Sequence, residues 1–563
     1  MGTEAPLSVS SRGNALAAMS AGPVDLLIIG GGIAGAGIAR DAALRGIRTA
    51  LVERADFGGA TSSRSSRLVH GGLRYLEHGD LRLVREASRE RHVLLTIAPH
   101  LVRPLPFLFP IYAGARVPAW KVRVGMWLYD ALAGFRNTHL HRWLDRQQVA
   151  RLEPRLRSKG LRGAALYYDA QTDDARLVIA TVRAAARAGA VVANYAEVTS
   201  FLKSDGRVRG AAVRDVLTGD RYEVHAHTVV NATGPWVDVL RRHDDSAAPI
   251  LLRPTKGTHV VVPRARIGHT NAVTLTSPLD GRVMFVLPWG DLSYIGTTDT
   301  DDDGPADEAR ASGADVIYLL RSANALFPDA RLAPRDVVSS WAGLRPLLAP
   351  DRRLTPAEVS REHRVVESPS ELITIAGGKL TTYRVMAQDV VDVVARRLHA
   401  LDGRGVEDHA PTDRLPLPGG ETADLAVLTD AARSRGASED EARHLVGHYG
   451  SESAAVLNLV ERDRSLGEPL IPGRPEIWAE VSFAVEREMA VRLDDVLTRR
   501  LHLFHEDPDH GVAVAPAVAA RMGELLGWDE SRSEGEVAHY TAEVRRAHAF
   551  LREVPRASRE ISG

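Results

Sequence analysis

Cysteine is absent from the sequence. That excludes a disulfide framework, thiolate metal sites, iron–sulfur clusters and attachment of a flavin through sulfur. Lysine is scarce: Lys121, Lys159, Lys203, Lys256 and Lys379 are its complete set, and every other member of the 71 basic residues is arginine. Lys256 and Lys379 adjoin glycines and are expected in turns that need a compact ammonium rather than a guanidinium fork. The net charge is −1, so no overall basic field supports a nucleic-acid partner. No run approaches the roughly 18 apolar residues of a membrane span. Residues 1–22 lack the basic start and long apolar core of a signal peptide. They read as a disordered lead-in, with Met19 an alternative start. There is no GxSxG elbow, Walker loop or paired CxxC, so acyl transfer and P-loop chemistry have no support.

What is present begins at Val24. Val24–Ile29 is a short apolar run, the mark of a strand buried on both faces. It leads into Gly30-Gly31-Gly32-Ile33-Ala34-Gly35, a helical stretch to Arg45, and a second strand Thr49–Val52 ending at Glu53. In such a βαβ unit Gly30 permits the tight turn and Gly32 lets backbone approach a pyrophosphate. Gly35 lets helix and strand pack closely. The helix N-terminus favours the anion, and Glu53 is placed to accept from a ribose hydroxyl, which argues against a 2′-phosphate. The unit alone does not separate FAD from NAD. Contacts to the dinucleotide are expected from Ile29, Gly30, Gly32, Ile33, Gly35, Glu53 and Arg54.

The loop after Glu53 is rich in hydroxyls and small residues; Thr61, Ser62, Ser63 and Ser66 are its candidate donors, followed by His70, Gly71 and Gly72. Asp80 is an expected N-cap for a helix carrying Leu81, Val84, Ala87 and Leu94 on one face. Ala119–Gly134 is helical and largely apolar, with Lys121, Arg123 and Asp130 the exceptions and a basic fringe from Arg136 to Arg142. Burial in a second domain is the expected reading; a helix lying in a membrane interface is the rival. A strand ending near Val198, a meander, and Thr228-Val229-Val230-Asn231-Ala232-Thr233-Gly234-Pro235-Trp236 follow. Ala232, Thr233, Gly234 and Trp236 suggest a second backbone approach to the dinucleotide. Ile373–Thr382 repeats the opening logic of strand, glycines and helix, which adds Gly378, Lys379, Leu380 and Thr381. Pro411–Gly420 is a linker by composition. Beyond it the pattern is helical, with a capping box at Ser438 and Glu441 and one long helix expected over Glu480–Leu501.

Two patterns are expected to bind no metal. Asp299–Gly304 imitates half of an EF-hand loop, but the twelfth position is Arg310, so an acidic turn is expected. His444 and His448 are four apart, with Leu445 where a zinc protease has Glu; they read as surface or interface histidines.

Taken together, Ile29–Arg40, Ala60–Glu77 (with Thr61-Ser62-Ser63 and His70-Gly71-Gly72-Leu73-Arg74-Tyr75-Leu76-Glu77-His78), Thr255–His259, Trp341–Leu347 and Gly377–Arg384 resemble the FAD-dependent glycerol-3-phosphate dehydrogenases. The likeness runs over about residues 24–540. It implies an α/β fold with a Rossmann-like FAD-binding domain, an interleaved mixed-sheet substrate domain of the amino-acid-oxidase kind (mainly 100–165 and 250–370 within 23–410), a C-terminal all-α cap (411–550) and a tail (551–563). It implies non-covalent FAD and oxidation of sn-glycerol 3-phosphate to glycerone phosphate. Electrons would pass to a membrane quinone, from a peripheral position on the cytoplasmic face of the cell membrane, in a homodimer. By position, Arg74, Tyr75, Arg345, Arg361 and Lys379 resemble the family's substrate cluster. A phosphate dianion needs several charge-assisted donors of this kind. His70 and His259 are both candidates for the base that takes the hydroxyl proton, and Arg345 for stabilising the alkoxide. The rival readings are an oxidase of the same substrate using oxygen, an oxidoreductase of 2-hydroxy or amino acids, and a flavin-binding protein without turnover.

Overall fold

The computed structural model describes residues 7–73, 76, 80–115, 117–135, 137–302, 304–348 and 362–554. Arg74, Tyr75, Arg136 and Arg361 lie outside the described residues.

The first sheet is built around Val24–Ile29. It pairs in parallel with Arg221–Asn231 on one side and Thr49–Val52 on the other. Val191–Ala193 extends the sheet beyond Thr49–Val52, and Ile373–Gly377 extends it beyond Arg221–Asn231, both in parallel. His363–Glu367 closes that edge antiparallel. The apolar run Leu26–Ile29 of the first strand has a direct cause. Leu26 and Ile28 enter a core with the helices Ile33–Leu44, Asp174–Arg187 and Tyr383–Asp402. Leu27 and Ile29 point the other way, into a core with the meander Ala196–Ser204/Arg207–Asp215 and the helix Val9–Ser20.

That last helix corrects the expected disordered lead-in. Ser8 and Ser11 form its capping box, Leu16 and Met19 are fully buried, and Arg12 forks onto Asp215 at 2.9 and 2.8 Å. Its Ser- and Gly-bearing first half and the weak segregation of its apolar residues to one face hid it. What fixes it is an ion pair to a carboxylate far along the chain.

The second sheet centres on Leu252–Pro263, which runs antiparallel to Ser339–Leu348 from Leu252 opposite Leu348 to Val261 opposite Ser339. Lys256 therefore lies in a strand, not a turn, and its ammonium meets Asp315 at 3.0 Å. The long pair Val102–Tyr112/Leu161–Thr172 completes the other half of the sheet.

The C-terminal region is helical, and the capping box at Ser438 and Glu441 is present. The single helix expected over Glu480–Leu501 is broken. Trp478–Arg487 ends before Met489, which takes φ 53°. The chain then resumes as a π-helical turn over Asp495–Arg500. Tertiary demands override the helical pattern here: Asp495 accepts the N–H groups of Val491 and Arg492 and the Tyr195 hydroxyl. Arg499 and Arg500 both reach Asp56, just beyond Glu53.

Of the two places expected for His444 and His448, surface or interface, the structure shows the interface. The His444 side chain is 8% exposed and bonds Glu480 at 2.8 Å, and His448 packs beside it. Ala119–Leu132 departs from its expected burial. It buries Val122, Met126, Tyr129 and Asp130, yet Trp120, Val124 and Trp127 are 62%, 59% and 61% exposed. Among the described residues, no helix is long and apolar enough to cross a membrane.

Candidate functional site

A cavity of about 450 Å³ opens at the C-terminal ends of the parallel strands, where the second sheet comes over them. This is where open α/β sheets hold ligands. One end is the first glycine turn. Gly30 has φ 109°, and a Cβ there would stand 2.6 Å from the Ala232 carbonyl oxygen. A Cβ on Gly35 would stand 1.9 Å from the Gly30 carbonyl oxygen, so only glycine allows this helix to approach its strand. At the head of the helix the Ile33 N–H donates to Ser62 Oγ at 3.0 Å.

Glu53 holds the turn from the next strand, accepting from Gly31 N–H at 2.6 Å and Ala55 N–H at 2.9 Å. Burial pushes its carboxyl up, and those two donors pull it back. Arg54 stacks on Trp236 and pairs with Asp307. Ile29, Val198, Ala232, Thr233 and Gly234 complete this wall.

The loop carrying Thr61, Ser62, Ser63 and Ser66 is tied down from several directions. Thr61 donates to the Leu344 carbonyl at 2.7 Å. Ser65 donates through backbone and hydroxyl to Asp174. Trp341 Nε1 and the Tyr294 hydroxyl donate to the carbonyls of Ser65 and Ser66. Thr61, Ser62 and Ser66 line the cavity; Ser63 does not, and its hydroxyl turns back to the Ala60 carbonyl. Gly71 and Gly72 also lie off the cavity wall. The Gly71 N–H meets Tyr129 and Asp169, and a Cβ there would strike the Tyr129 hydroxyl.

At the opposite end Gly377 and Gly378 both take positive φ, 77° and 83°, and a Cβ on Gly378 would stand 2.4 Å from Met386 Sδ. The turn brings Lys379, Leu380 and Thr381 to the wall, with the Lys379 ammonium buried. His70 sits alongside, its N–H on Thr381 Oγ1 at 3.3 Å.

The roof comes from the second sheet. Arg345 donates to Asp299 Oδ1 at 2.9 Å, to Thr297 Oγ1 at 2.9 Å and to the Thr298 carbonyl at 3.1 Å. A Cβ on Gly257, two residues from the position opposite Arg345, would stand 2.2 Å from Arg345 Nη2. The missing side chain makes room for the guanidinium. His259 stacks on Trp341, and its Nε2 is 2.9 Å from Ser66 Oγ. Burial first, then Arg345 and Arg67, drive its pKa down to about 3.

Three supporting groups escaped the sequence reading. Asp299, expected in an acidic turn, is buried and anchors Arg345 and Arg282. Asp174 holds the hydroxyl loop. Arg64 lines the cavity, and burial lowers its pKa. Nothing local in the sequence marks them: Asp299 meets Arg345 46 positions on, Asp174 meets Ser65 109 positions back, and Arg64 acts through burial. The glycine cradle, the Glu53 carboxylate and a cavity running from one glycine turn to the other fit a pyrophosphate-linked dinucleotide whose reactive ring reaches under the second sheet.

Comparisons agree with this geometry. Residues 25–384 match the FAD dependent oxidoreductase family, and residues 410–533 match the C-terminal domain of alpha-glycerophosphate oxidase. Aerobic glycerol-3-phosphate dehydrogenase of Staphylococcus haemolyticus is 36% identical over 518 residues, 90% of this chain and 92% of that protein. Glycerol-3-phosphate dehydrogenase 2 of Mycobacterium tuberculosis is 40% identical over 529 residues, 92% of this chain and 88% of the other. The crystal structure of the glycerol-3-phosphate dehydrogenase from Bacillus halodurans, complexed with FAD, superposes with a TM-score of 0.82 at 34% identity, covering 97% of this chain and 99% of that one.

Proposed function

The chain belongs to the FAD-dependent glycerol-3-phosphate dehydrogenase family, and on that premise we propose that it oxidises sn-glycerol 3-phosphate to glycerone phosphate and passes the electrons to a membrane quinone. Its cofactor is FAD, held by the glycine turns at Gly30–Gly35 and Gly377–Gly378 and by Glu53. FAD supplies the two-electron acceptor for the carbinol carbon.

The observation that carries the reading is Arg345, held by Asp299, Thr297 and Thr298 in the same cavity as Lys379. Two cations lining one cavity suit a phosphorylated polyol: one meets the remote anion, the other the oxygen that loses its proton. Arg74, Tyr75 and Arg361 are proposed to complete the substrate cluster. Of the two histidines, His259 is a poor proton acceptor at neutral pH because burial and Arg345 hold its pKa near 3. His70 is therefore assigned the hydroxyl proton, and His259 the task of positioning Ser66. The exposed Trp120, Val124 and Trp127 beside Lys121 and Arg123 support attachment to an anionic membrane surface.

Steady-state turnover with sn-glycerol 3-phosphate and a short-chain quinone tests the reading. Quinone-dependent turnover with slow reoxidation by air is the expected result. Rapid reoxidation by air with indifference to quinone would assign oxygen as the acceptor instead.

A further inference from the structure

Away from the cavity, three side chains from distant parts of the chain converge on one point. Asp173 caps the helix Asp174–Arg187; its Oδ1 accepts from Arg176 N–H at 3.0 Å, and its Oδ2 turns outward. His502 Nε2 lies 2.5 Å from that oxygen and His448 Nε2 3.9 Å from it. The three ligating atoms all lie within 4.8 Å of one another. None of the three residues lines the cavity.

The hydrogen bonds of the two rings fix which nitrogen is offered. His502 Nδ1 is 3.1 Å from the Thr498 carbonyl, and His448 Nδ1 is 3.1 Å from the His444 carbonyl. A carbonyl only accepts, so each Nδ1 carries a proton and each ring turns its Nε2 toward Asp173. This is how metal-bound histidines are oriented. His448 Nε2 is moreover buried with no hydrogen-bond partner, an arrangement that a proton shared between His502 and Asp173 leaves unexplained.

Arg176, Arg67 and His444 are the cations that act on His448 and Asp173, and each has a partner of its own. Arg176 forks onto Glu488 at 2.8 Å, Arg67 lies over Trp289 beside Asp174, and His444 is answered by Glu480. Glu506 adds a half-buried carboxyl near His502. At Zn–N and Zn–O lengths of about 2.1 Å, tetrahedral ligand atoms stand roughly 3.3 Å apart. The 2.5 Å and 3.9 Å separations need only sub-ångström adjustment to reach that.

We propose that Asp173, His448 and His502 bind one divalent transition-metal ion of the zinc class, clasping the C-terminal helices to the helix Asp174–Arg187 that holds the cofactor loop. Water would take the fourth position. Imidazole and carboxylate donors without thiolate suit Zn²⁺ or Co²⁺ over softer ions.

The test uses the FAD-loaded full chain after chelator treatment, titrated with Zn²⁺ against a chromophoric competitor and, separately, with Co²⁺. One equivalent of Zn²⁺ per flavin should bind and raise the melting temperature. Co²⁺ should give d–d absorption to the red of the flavin bands. His448→Ala, which leaves the Asp173 cap and the His502 contact intact, should weaken binding by about 100-fold or more with an unchanged flavin spectrum. His448→Asn serves if the alanine variant loses flavin. Absence of saturable binding, or binding indifferent to these variants, would overturn the proposal.

Discussion

Substituting Gly257 by alanine tests the roof of the cavity without touching a charged residue. No positive φ obliges glycine at this position, so the backbone accepts the change. The new Cβ, however, would stand 2.2 Å from Arg345 Nη2, 2.6 Å from its Cζ and 2.8 Å from Thr297 Oγ1. Ordinary contact requires the guanidinium to retreat by about 1 Å, which breaks its alignment with Asp299 and with anything bound beneath it. A displacement of that size in a positioning group costs about 100-fold, or about 2.7 kcal/mol, in transition-state stabilisation. Turnover of Gly257→Ala with sn-glycerol 3-phosphate and an artificial acceptor should fall by that factor in kcat/KM, with flavin content unchanged. The effect is expected to pass through one side chain, so Gly257→Ala combined with Arg345→Ala should be no worse than Arg345→Ala alone. Unaltered kinetics in Gly257→Ala, or additive losses in the double variant, would refute the placement of Arg345 over the substrate.

Other consequences follow from the same geometry. His70→Asn should lower kcat by about 10²-fold or more while FAD remains bound, whereas His259→Gln should cost less; the reverse order, read in single-turnover flavin reduction, would exchange their roles. Stability should decline earlier in acid than carboxylates alone require. His100 and His259 are held near pKa 3 and His269 near 4, chiefly by burial, while each titrates near 6.5 when unfolded. The unfolded chain therefore binds more protons between about pH 6.5 and pH 3, and stability falls as pH drops through that window. Each histidine contributes up to about 1.4 kcal/mol per pH unit. Urea melts at pH 7.5, 6.0 and 5.0 would show the decline, and a flat profile to pH 5 would contradict it. Trp120→Ser with Trp127→Ser should reduce sedimentation with anionic liposomes and leave soluble-acceptor turnover unchanged; undiminished binding would remove this helix from the membrane contact.

The parts of the fold read most directly from sequence are those whose logic is local. Gly30, Gly35 and Glu53 sit in one strand–turn–helix–strand unit; Gly35 and Glu53 find their partners within thirty residues, and the positive φ of Gly30 is local although the carbonyl it faces belongs to Ala232. The second glycine turn at Gly377–Gly378 was legible for the same cause. Asp299 was not, because an acidic run beside a glycine resembles a solvated turn until Arg345 arrives from a neighbouring strand. The break after Arg487 and the ordered helix Val9–Ser20 were hidden similarly. Asp56 and Asp215 dictate them, and both carboxylates lie far away in sequence. His448 was weighed against a helical motif it does not have, whereas its companions Asp173 and His502 come from separate elements.

The central claim is that Arg345 and Lys379 select a phosphorylated polyol for FAD to oxidise. Anaerobic mixing of the purified yellow protein with single substrates, followed at the flavin band, tests it most directly. Rapid bleaching by sn-glycerol 3-phosphate is predicted, with glycerol, 2-hydroxy acids and amino acids leaving the spectrum oxidised. Bleaching by an unphosphorylated acid or amine, with sn-glycerol 3-phosphate inert, would contradict the account.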